Sequence, residues 1–509
     1  MSSSTDVSSF SVALADEKAT YRLMMDVAAL VEPGDTITLS GDLGAGKTTF
    51  ARALIRHFAG DATVEVPSPT FTLVQSYELP RFTLVHADLY RLLRPAELAE
   101  LGFDELVGRV LLVEWPDRAA GLLPADRLDI ELTLSPQHGE TYRNARITGY
   151  GAMAARAERI AAIRRFLDGN GFAGADRLRI QGDASTRSYE RLTRDGKTFI
   201  LMNSPRRPDG PPIRDGKPYS AIAHLAESVT PFIAMAKGLR ERGFSAPAIL
   251  AADREAGLIV LEDLGDEPVV AGDPPAPIEA RYEVAVDALV ALHRMRLPET
   301  LPVAPGVEHP LPRYDMAALL IEAELLIDWY APRLGRQISK AMRETYLALW
   351  HDALRPAVEG RSTWVLRDFH SPNLLWLAER SGIARVGLLD FQDAVLGSPA
   401  YDVASLLLDA RVDVPEMMEI ALLSRYTRER HAADPGFNAP LFARLYATLA
   451  AQRCSKILGI FARLDARDGK PQYLRHMPRV WGYLQRSLAH PALVPLAAWY
   501  AINVPALKA

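Results

Sequence analysis

The stretch GDLGAGKTTF, residues 41–50, decides the fold of the N-terminal part of the chain. It holds the full pattern G-x-x-x-x-G-K-[ST], in which glycines allow backbone N–H groups to approach phosphate oxygens. The alternating, β-branched run DTITLS comes before it, and the run TTFARALIRHF after it places apolar residues on one helical face. A glycine loop between a strand and a helix predicts a phosphate-binding site.

Each part of this loop has an expected role. Lys47 should reach the β- and γ-phosphates of ATP, and the Thr48 hydroxyl should coordinate Mg²⁺. Asp88 and Glu114 lie where two apolar runs, FTLVHADLY and RVLLVEW, end. We expect Asp88 to hold the metal through water and Glu114 to orient the hydrolytic water, although either could be a surface carboxylate at a strand end. The residues expected to bind the nucleotide are Gly41, Gly44, Ala45, Gly46, Lys47, Thr48 and Thr49.

Strands that alternate with helical segments predict an α/β domain over residues 1–150, with the three-layer sandwich of a P-loop NTPase. DRLDIELTLS and YRNARITGYG are typical of a closing hairpin. The helical stretch AARAERIAAIRRFLDGNGF follows, and we place the domain boundary near residue 150.

Residues 151–509 show the layout of a bilobal, kinase-like α+β domain. A strand, a loop and two strands joined at the Asp195-Gly196 turn begin the small lobe, about residues 170–270. After about residue 275 the pattern is mostly helical. The segment GDASTRSYERL, with Gly182, Ser185 and Thr186, is the predicted phosphate cover, and VLEDLG, from Glu262 to Leu264, is the predicted adenine hinge.

A second set of catalytic residues stands among those helices, in WVLRDFHSPNLLW, residues 364–376. Phosphoryl transfer to a hydroxyl needs a proton acceptor and metal ligands. Asp368 fits the acceptor, Asn373 fits a metal ligand from the same loop, and Asp390, after an apolar run, fits the main Mg²⁺ ligand. The alternative interpretation makes all three turn-forming residues. Asp402 is expected to cap or anchor a helix.

Composition sets limits on the rest. The chain has 509 residues, a net charge of −5 and one cysteine, Cys454, which excludes an intramolecular disulfide and a multi-cysteine metal site. Two or three domains and a cytoplasmic location are expected. No membrane partner is expected, because three prolines interrupt the apolar run AHPALVPLAAWYAINVPAL near the C-terminus.

The motifs GDLGAGKTTF, SPTFTLVQSYE, HADLYRL, ELGFDEL and VEWPDR together resemble the TsaE family of small bacterial ATPases, over about residues 10–148. The resemblance implies a role in making threonylcarbamoyladenosine on tRNA. It also implies a TsaB–TsaD complex as partner, with tRNA involved only indirectly. By the match, Lys47, Thr48, Asp88 and Glu114 take the family's nucleotide and metal roles.

The motifs GDASTRSYERL, LEDLGD, LRDFHSPNLLW and LLDFQDAVLGSPAYDVASLL resemble the aminoglycoside phosphotransferase superfamily, and within it the AmgK family, over about residues 160–500. That resemblance implies transfer from Mg·ATP to the anomeric hydroxyl of N-acetylmuramate or N-acetylglucosamine, in cell-wall recycling. Met202 stands where the superfamily carries an ATP-binding lysine, and Arg187 is the candidate substitute.

Three alternatives stay open. The acceptor could be an aminoglycoside, for which an acid-lined pocket is expected, or choline or another small alcohol. The second domain could instead be a pseudokinase that regulates the first. Gln452, Lys456 and Gly459, at helical spacing, could contact the sugar or form a solvated or core-edge face.

Overall fold

The computed structural model describes residues 6–92, 94, 108–119, 121–139, 141–180, 187–206 and 210–504. The chain divides into two compact units, residues 1–203 and 204–509. This division by packing falls after the third strand of the predicted small lobe. The domain boundary near residue 150 stays a prediction.

The first unit is built on a seven-stranded mixed sheet with the order β1-β7-β6-β2-β5-β4-β3. Its strands are β1 (Val7–Leu14), β2 (Thr36–Ser40), β3 (Val74–Glu78), β4 (Thr83–Asp88), β5 (Val110–Glu114), β6 (Arg127–Leu134) and β7 (Arg143–Tyr150). β4, β5, β2 and β6 run parallel, and β6 and β7 form the predicted closing hairpin. The glycine loop therefore follows the carboxyl end of the central strand β2, which is where α/β folds bind ligands.

Apolar side chains cover both faces of this sheet. Helices α1 (Glu17–Ala28), α2 (Lys47–Ala59) and α3 (Ala152–Gly169) contribute Leu23, Phe50 and Ala157 to one core. On the opposite face, strand residues such as Val85 and Val113 pack with residues of the neighbouring loops. Parallel strands buried on both faces confirm the predicted α/β class.

The first unit continues into three antiparallel strands, β8 (Asp176–Ile180), β9 (Ser188–Arg194) and β10 (Lys197–Asn203). β9 and β10 turn at the predicted Asp195-Gly196 pair, where φ is 50° and 71°. Positive φ at both central residues is what a type I′ turn requires.

A buried ion cluster ties these strands to α1. The Arg177 guanidinium donates to Glu190 at 2.7 and 3.0 Å and to Asp26, which also accepts from Arg164. Burial works to lower the pKa of Arg177, but the charges of Glu190 and Asp26 outweigh it and hold the pKa above its usual value. The cluster makes α1 and β8 parts of one packed body.

The second unit combines five short antiparallel pairs with a large helical body. Its strands are β11 (Ile249–Asp253), β12 (Leu258–Glu262), β13 (Val270–Ala271), β14 (Ala276–Pro277), β15 (Thr300–Ala304), β16 (Val307–Pro310), β17 (Thr363–Val365), β18 (Leu374–Trp376), β19 (Val386–Leu388) and β20 (Val395–Gly397). β17 pairs with β20 and β18 with β19, so the segments between them are held side by side.

The helices of this unit include one of 30 residues, α12. They are α4 (Tyr219–Ile222), α5 (Thr230–Glu241), α6 (Glu279–Arg294), α7 (Met316–Leu325), α8 (Ala331–Arg333), α9 (Lys340–Glu359), α10 (Ala400–Leu407), α11 (Glu416–Ala433), α12 (Ala439–Asp468), α13 (Met477–Leu488) and α14 (Val494–Asn503). Among the described helices, none has the length and apolar content needed to cross a bilayer.

Candidate functional site

The glycine loop of the first unit adopts backbone angles that only glycine accepts readily. Gly41, Gly44 and Gly46 have φ of 128°, 81° and 105°. A Cβ on Gly41 would lie 2.1 Å from the Leu132 carbonyl oxygen, so this position also lacks space for a side chain. Ala45 is fully buried, and Thr49 is exposed in the first turn of α2. The loop thus has the shape expected for a phosphate cradle.

Lys47 is buried among groups of the same loop. Its Nζ donates to the carbonyl oxygens of Gly41 at 2.7 Å and Asp42 at 2.9 Å, and lies 3.6 Å from the centre of the Trp115 ring. Burial lowers the pKa of Lys47, while the charge of Glu114 acts in the opposite direction. The ammonium is therefore held at the loop, next to the carboxylates at the strand ends.

Glu114 stands at the end of β5, directly beside Asp88 at the end of β4. One Glu114 oxygen accepts from the Thr48 hydroxyl at 2.9 Å, and the other lies 3.0 Å from His86 Nε2. Asp88 accepts from the Thr70 hydroxyl at 3.1 Å. Both carboxylates are at least nine-tenths buried, so neither is the plain surface group that the sequence left open.

These oxygen atoms have the chemistry that Mg²⁺ prefers. Thr48, Asp88 and Glu114 gather a hydroxyl and two carboxylates around the loop, and Lys47 adds the cation that a nucleotide phosphate needs. The hydrogen bond of Thr70 to Asp88 connects the segment between α2 and β3 to the same group. The residues present fit Mg·ATP.

In the second unit the predicted catalytic loop, which carries Asp368, is held in place by α10. The Asp402 carboxylate accepts the backbone N–H of Leu366 at 2.7 Å and of Arg367 at 2.9 Å, and Ser405 donates to the Arg367 carbonyl. Asp402 is therefore an anchor for the loop, whereas we expected it to cap or anchor a helix. Burial raises the pKa of Asp402 to about 7.

The predicted triad is brought together by the short strand pairs. Asn373 donates from Nδ2 to the Asp368 carbonyl oxygen at 3.0 Å, and the Leu389 N–H donates to the Asn373 carbonyl at 2.9 Å. Asp390 follows directly, with a φ of 55°, and its carboxylate accepts from Gln392 Nε2 at 2.9 Å. The segments that carry Asp368, Asn373 and Asp390 therefore lie side by side. Their amide and carboxylate oxygens are ligands that suit Mg²⁺.

Asp368 is half-buried in a positive environment. Burial works to raise the pKa of Asp368, but nearby His370, Lys456, Arg453 and Arg367 outweigh it and hold the pKa below its usual value. His370 is itself buried, which lowers its pKa to about 4. Asp368 therefore remains a carboxylate across the neutral range, as a proton acceptor requires.

Only some of the residues predicted to bind the nucleotide in the second unit lie within the described part of the chain. Gly182, Ser185 and Thr186 lie outside the described residues. The Glu262 carboxylate accepts from Arg380 at 2.6 Å and Arg240 at 3.1 Å, and the Glu262 backbone N–H donates to the Ala248 carbonyl. The Leu264 side chain packs at Gly387. Adenine contacts at Glu262 and Leu264, and a phosphate contact at Arg187, stay predictions.

The helical triplet considered for the sugar is held by neighbouring helices. Lys456 pairs with Glu322 at 2.8 Å, and Gln452 donates to the Leu319 carbonyl at 2.9 Å. A Cβ on Gly459 would lie 2.3 Å from the Leu325 carbonyl carbon. These contacts favour the core-edge interpretation. Arg453, which lies between two of these residues and was not singled out from the sequence, is one of the cations that act on Asp368.

Comparison with known proteins matches the two segments of the chain to two families. Residues 14–144 match the family described as threonylcarbamoyl adenosine biosynthesis protein TsaE, and residues 176–436 match the phosphotransferase enzyme family. An N-acetylmuramate/N-acetylglucosamine kinase from Caulobacter vibrioides is 42% identical over 366 residues, which cover 69% of this chain and 99% of the relative. A TsaE protein from Rickettsia felis is 44% identical over 120 residues, or 23% of this chain and 70% of that protein.

The chain belongs to the phosphotransferase enzyme family, joined to a TsaE segment. Among solved structures, Bacillus subtilis YdiB is 28% identical, covering 31% of this chain and 97% of that one, with a TM-score of 0.26. Both families imply the use of ATP. Asp26 lies in the TsaE segment, whereas Arg177 and Glu190 lie in the phosphotransferase segment, so the buried ion cluster of the first unit joins residues of both families.

Proposed function

We propose that the chain is bifunctional: a Mg·ATP-dependent kinase for the anomeric hydroxyl of N-acetylmuramate and N-acetylglucosamine, and an ATPase that assists threonylcarbamoyladenosine formation on tRNA. The kinase activity is supported by one observation in particular: the segments that carry Asp368, Asn373 and Asp390 lie side by side. The chain is also similar to proteins named for those two sugars.

The residues of the second site have separable roles in this proposal. Asp368 accepts the proton of the attacking hydroxyl, since its carboxylate stays charged at neutral pH. Asn373 and Asp390 hold Mg²⁺, which would neutralise the phosphate charge. Asp402 keeps the loop backbone fixed, so that the Asp368 side chain is presented in one orientation.

The charge around Asp368 favours this acceptor over an aminoglycoside. Aminoglycosides are polycations, and a site for them is expected to be lined with carboxylates. Here Lys456, Arg453 and Arg367 stand near the catalytic carboxylate instead. The intact triad equally argues against a pseudokinase.

The test is a panel of acceptors with ATP, with the phosphorylated position assigned by NMR. We expect N-acetylmuramate and N-acetylglucosamine to yield 1-phosphates, and 1-deoxy-N-acetylglucosamine to yield nothing, because the reacting oxygen is gone. Phosphorylation of the 1-deoxy sugar as fast as its parent would contradict the anomeric assignment. Phosphorylation of an aminoglycoside and of neither sugar would show that the acceptor is an aminoglycoside.

For the first site, two observations support a nucleotide-dependent partner. Thr48, Asp88 and Glu114 join the loop to the strand ends, and Thr70 connects the following segment to Asp88. Around this site, Leu43 and Phe71 expose 77% and 83% of their surface. Large apolar side chains left in solvent beside a nucleotide loop are suited to burial against another protein. We assign that partner to a TsaB–TsaD complex.

The expected result is ATP-dependent capture of a cognate TsaB–TsaD complex by the full chain, weakened by Phe71→Ser. Val7→Ser is the matched control, because Val7 is 57% exposed on the edge strand β1, far along the sheet from the loop. Capture that is absent with ATP, or equally weakened by the control, would contradict this assignment.

A further inference from the structure

Arg453, near the predicted catalytic loop, has a buried guanidinium nitrogen without a hydrogen-bond partner among the described residues. Arg453 lies on α12 and exposes only 5% of its surface. Its Nη1 is buried and has no hydrogen-bond acceptor among the described residues. Two neighbouring polar residues of the same helix have partners: Gln452 donates from Nε2 to the Leu319 carbonyl and Lys456 pairs with Glu322, although Gln452 Oε1 accepts no hydrogen bond among the described residues. A buried, always-charged guanidinium without an acceptor is costly, so it needs an anion from elsewhere.

The position of Arg453 points to the acceptor substrate as the source. Arg453 acts on the charges of three groups of the catalytic loop and its anchor: it lowers the pKa of Asp368 and of His370, and opposes the burial that raises the pKa of Asp402. Helix α12 also packs against α10, whose Asp402 anchors the loop that carries Asp368, so Arg453 lies near the residue that is expected to contact the attacking hydroxyl. Asn373 and Asp390, on the other short strand pair, are the groups assigned to the nucleotide side.

We propose that Arg453 binds the carboxylate of an acidic N-acetylamino sugar and so determines the preference for that substrate class. The inference rests on the proposed kinase function and deepens it. N-acetylmuramate carries a lactyl ether with a carboxylate on O3, and N-acetylglucosamine carries a hydroxyl there. The planar guanidinium matches a carboxylate with two parallel hydrogen bonds, which gives both affinity and orientation.

This role separates Arg453 from a catalytic residue. A carboxylate contact made in the ground state and kept in the transition state changes kcat/KM for the acidic sugar and leaves the neutral sugar unaffected. A contact with the transferred phosphoryl group would change both sugars alike.

The test compares the full chain with Arg453→Met and Arg453→Lys on three acceptors: N-acetylmuramate, its uncharged methyl ester and N-acetylglucosamine. For the wild type we expect kcat/KM to favour the acid over the ester. In Arg453→Met we expect the acid to lose about 10- to 100-fold, the range of a hydrogen-bonded charge pair. The ester and N-acetylglucosamine should keep their rates, and Arg453→Lys should recover part of the loss. Arg467→Met is the matched control, an arginine of the same helix paired with Asp468.

Each outcome decides the proposal. Equal losses of kcat/KM for all three acceptors would indicate that Arg453 contacts the transferred phosphoryl group, and they would overturn the proposal. Equal kcat/KM values of the wild type for the acid and the ester would also overturn the proposal. This comparison needs no variant, so it decides the proposal even if Arg453→Met fails to fold. If the wild type phosphorylates none of the three, the kinase proposal itself fails, a result distinct from a failure at Arg453.

Discussion

Replacing Asp368 by asparagine should lower kcat for sugar phosphorylation by about 10²- to 10⁴-fold. Asparagine keeps the shape of the side chain but cannot take a proton. The Asp402 anchor holds the loop through backbone N–H groups, so the fold of the loop should survive the change. KM for the sugar should change little, because proton acceptance occurs in the transition state. A steady-state assay of phosphosugar formation measures both constants.

Two further variants serve as comparisons for Asp368→Asn. Asp390→Ala should weaken the use of Mg·ATP as a whole, because it removes a metal ligand. Asp413→Asn removes an aspartate whose side chain is 75% exposed and should leave kcat unchanged. An anomeric hydroxyl is more acidic than an ordinary alcohol, so a loss near the lower limit for Asp368→Asn fits transfer to that position. Retention of the wild-type kcat would remove Asp368 from the mechanism.

Replacing Lys47 by alanine should abolish ATP turnover at the first site, with a loss of at least about 10²-fold, while phosphosugar formation continues. The ammonium is held at the glycine loop by the carbonyls of Gly41 and Asp42. Alanine is the best helix former, so the start of α2 should be preserved. ATP hydrolysis without sugar reports the first site, and phosphosugar yield reports the second.

Lys18→Ala is the control for Lys47→Ala, since Lys18 is exposed on α1. The reciprocal variant, Asp368→Asn, should leave sugar-independent hydrolysis intact. If Lys47→Ala also stopped sugar phosphorylation, the two sites would be coupled, and their independence would be wrong.

Local patterns predicted the framework of both sites. The glycine loop was predictable because its strand, glycines and helix are contiguous in the chain, and the Asp195-Gly196 turn for the same reason. β1 was not predicted, because VSSFSVAL mixes serines with apolar residues on an edge strand that is half exposed. The Asp368, Asn373 and Asp390 pattern predicted a triad, which short strand pairs then bring together.

The partners of these residues could not be predicted, because they depend on long-range packing. His86 and Glu114 are 28 positions apart, and Asp402 reaches Leu366 across 36. The burial of Arg453 depends on how α12 packs, and a single arginine in a helical sequence gives no signal of its own. Whether a buried charge has a partner is a property of the fold, so the unsatisfied Nη1 of Arg453, within the described part of the chain, is visible only in three dimensions.

The buried ion cluster of the first unit has an evolutionary consequence. Asp26 comes from the TsaE segment and Arg177 from the phosphotransferase segment, and each neutralises the other in the protein interior. A descendant that lost either half of the gene would uncover this interior: Arg177 would keep Glu190 as its partner, and Asp26 would face solvent. The fusion therefore favours inheritance of the two halves together, because either half alone would carry a newly exposed surface.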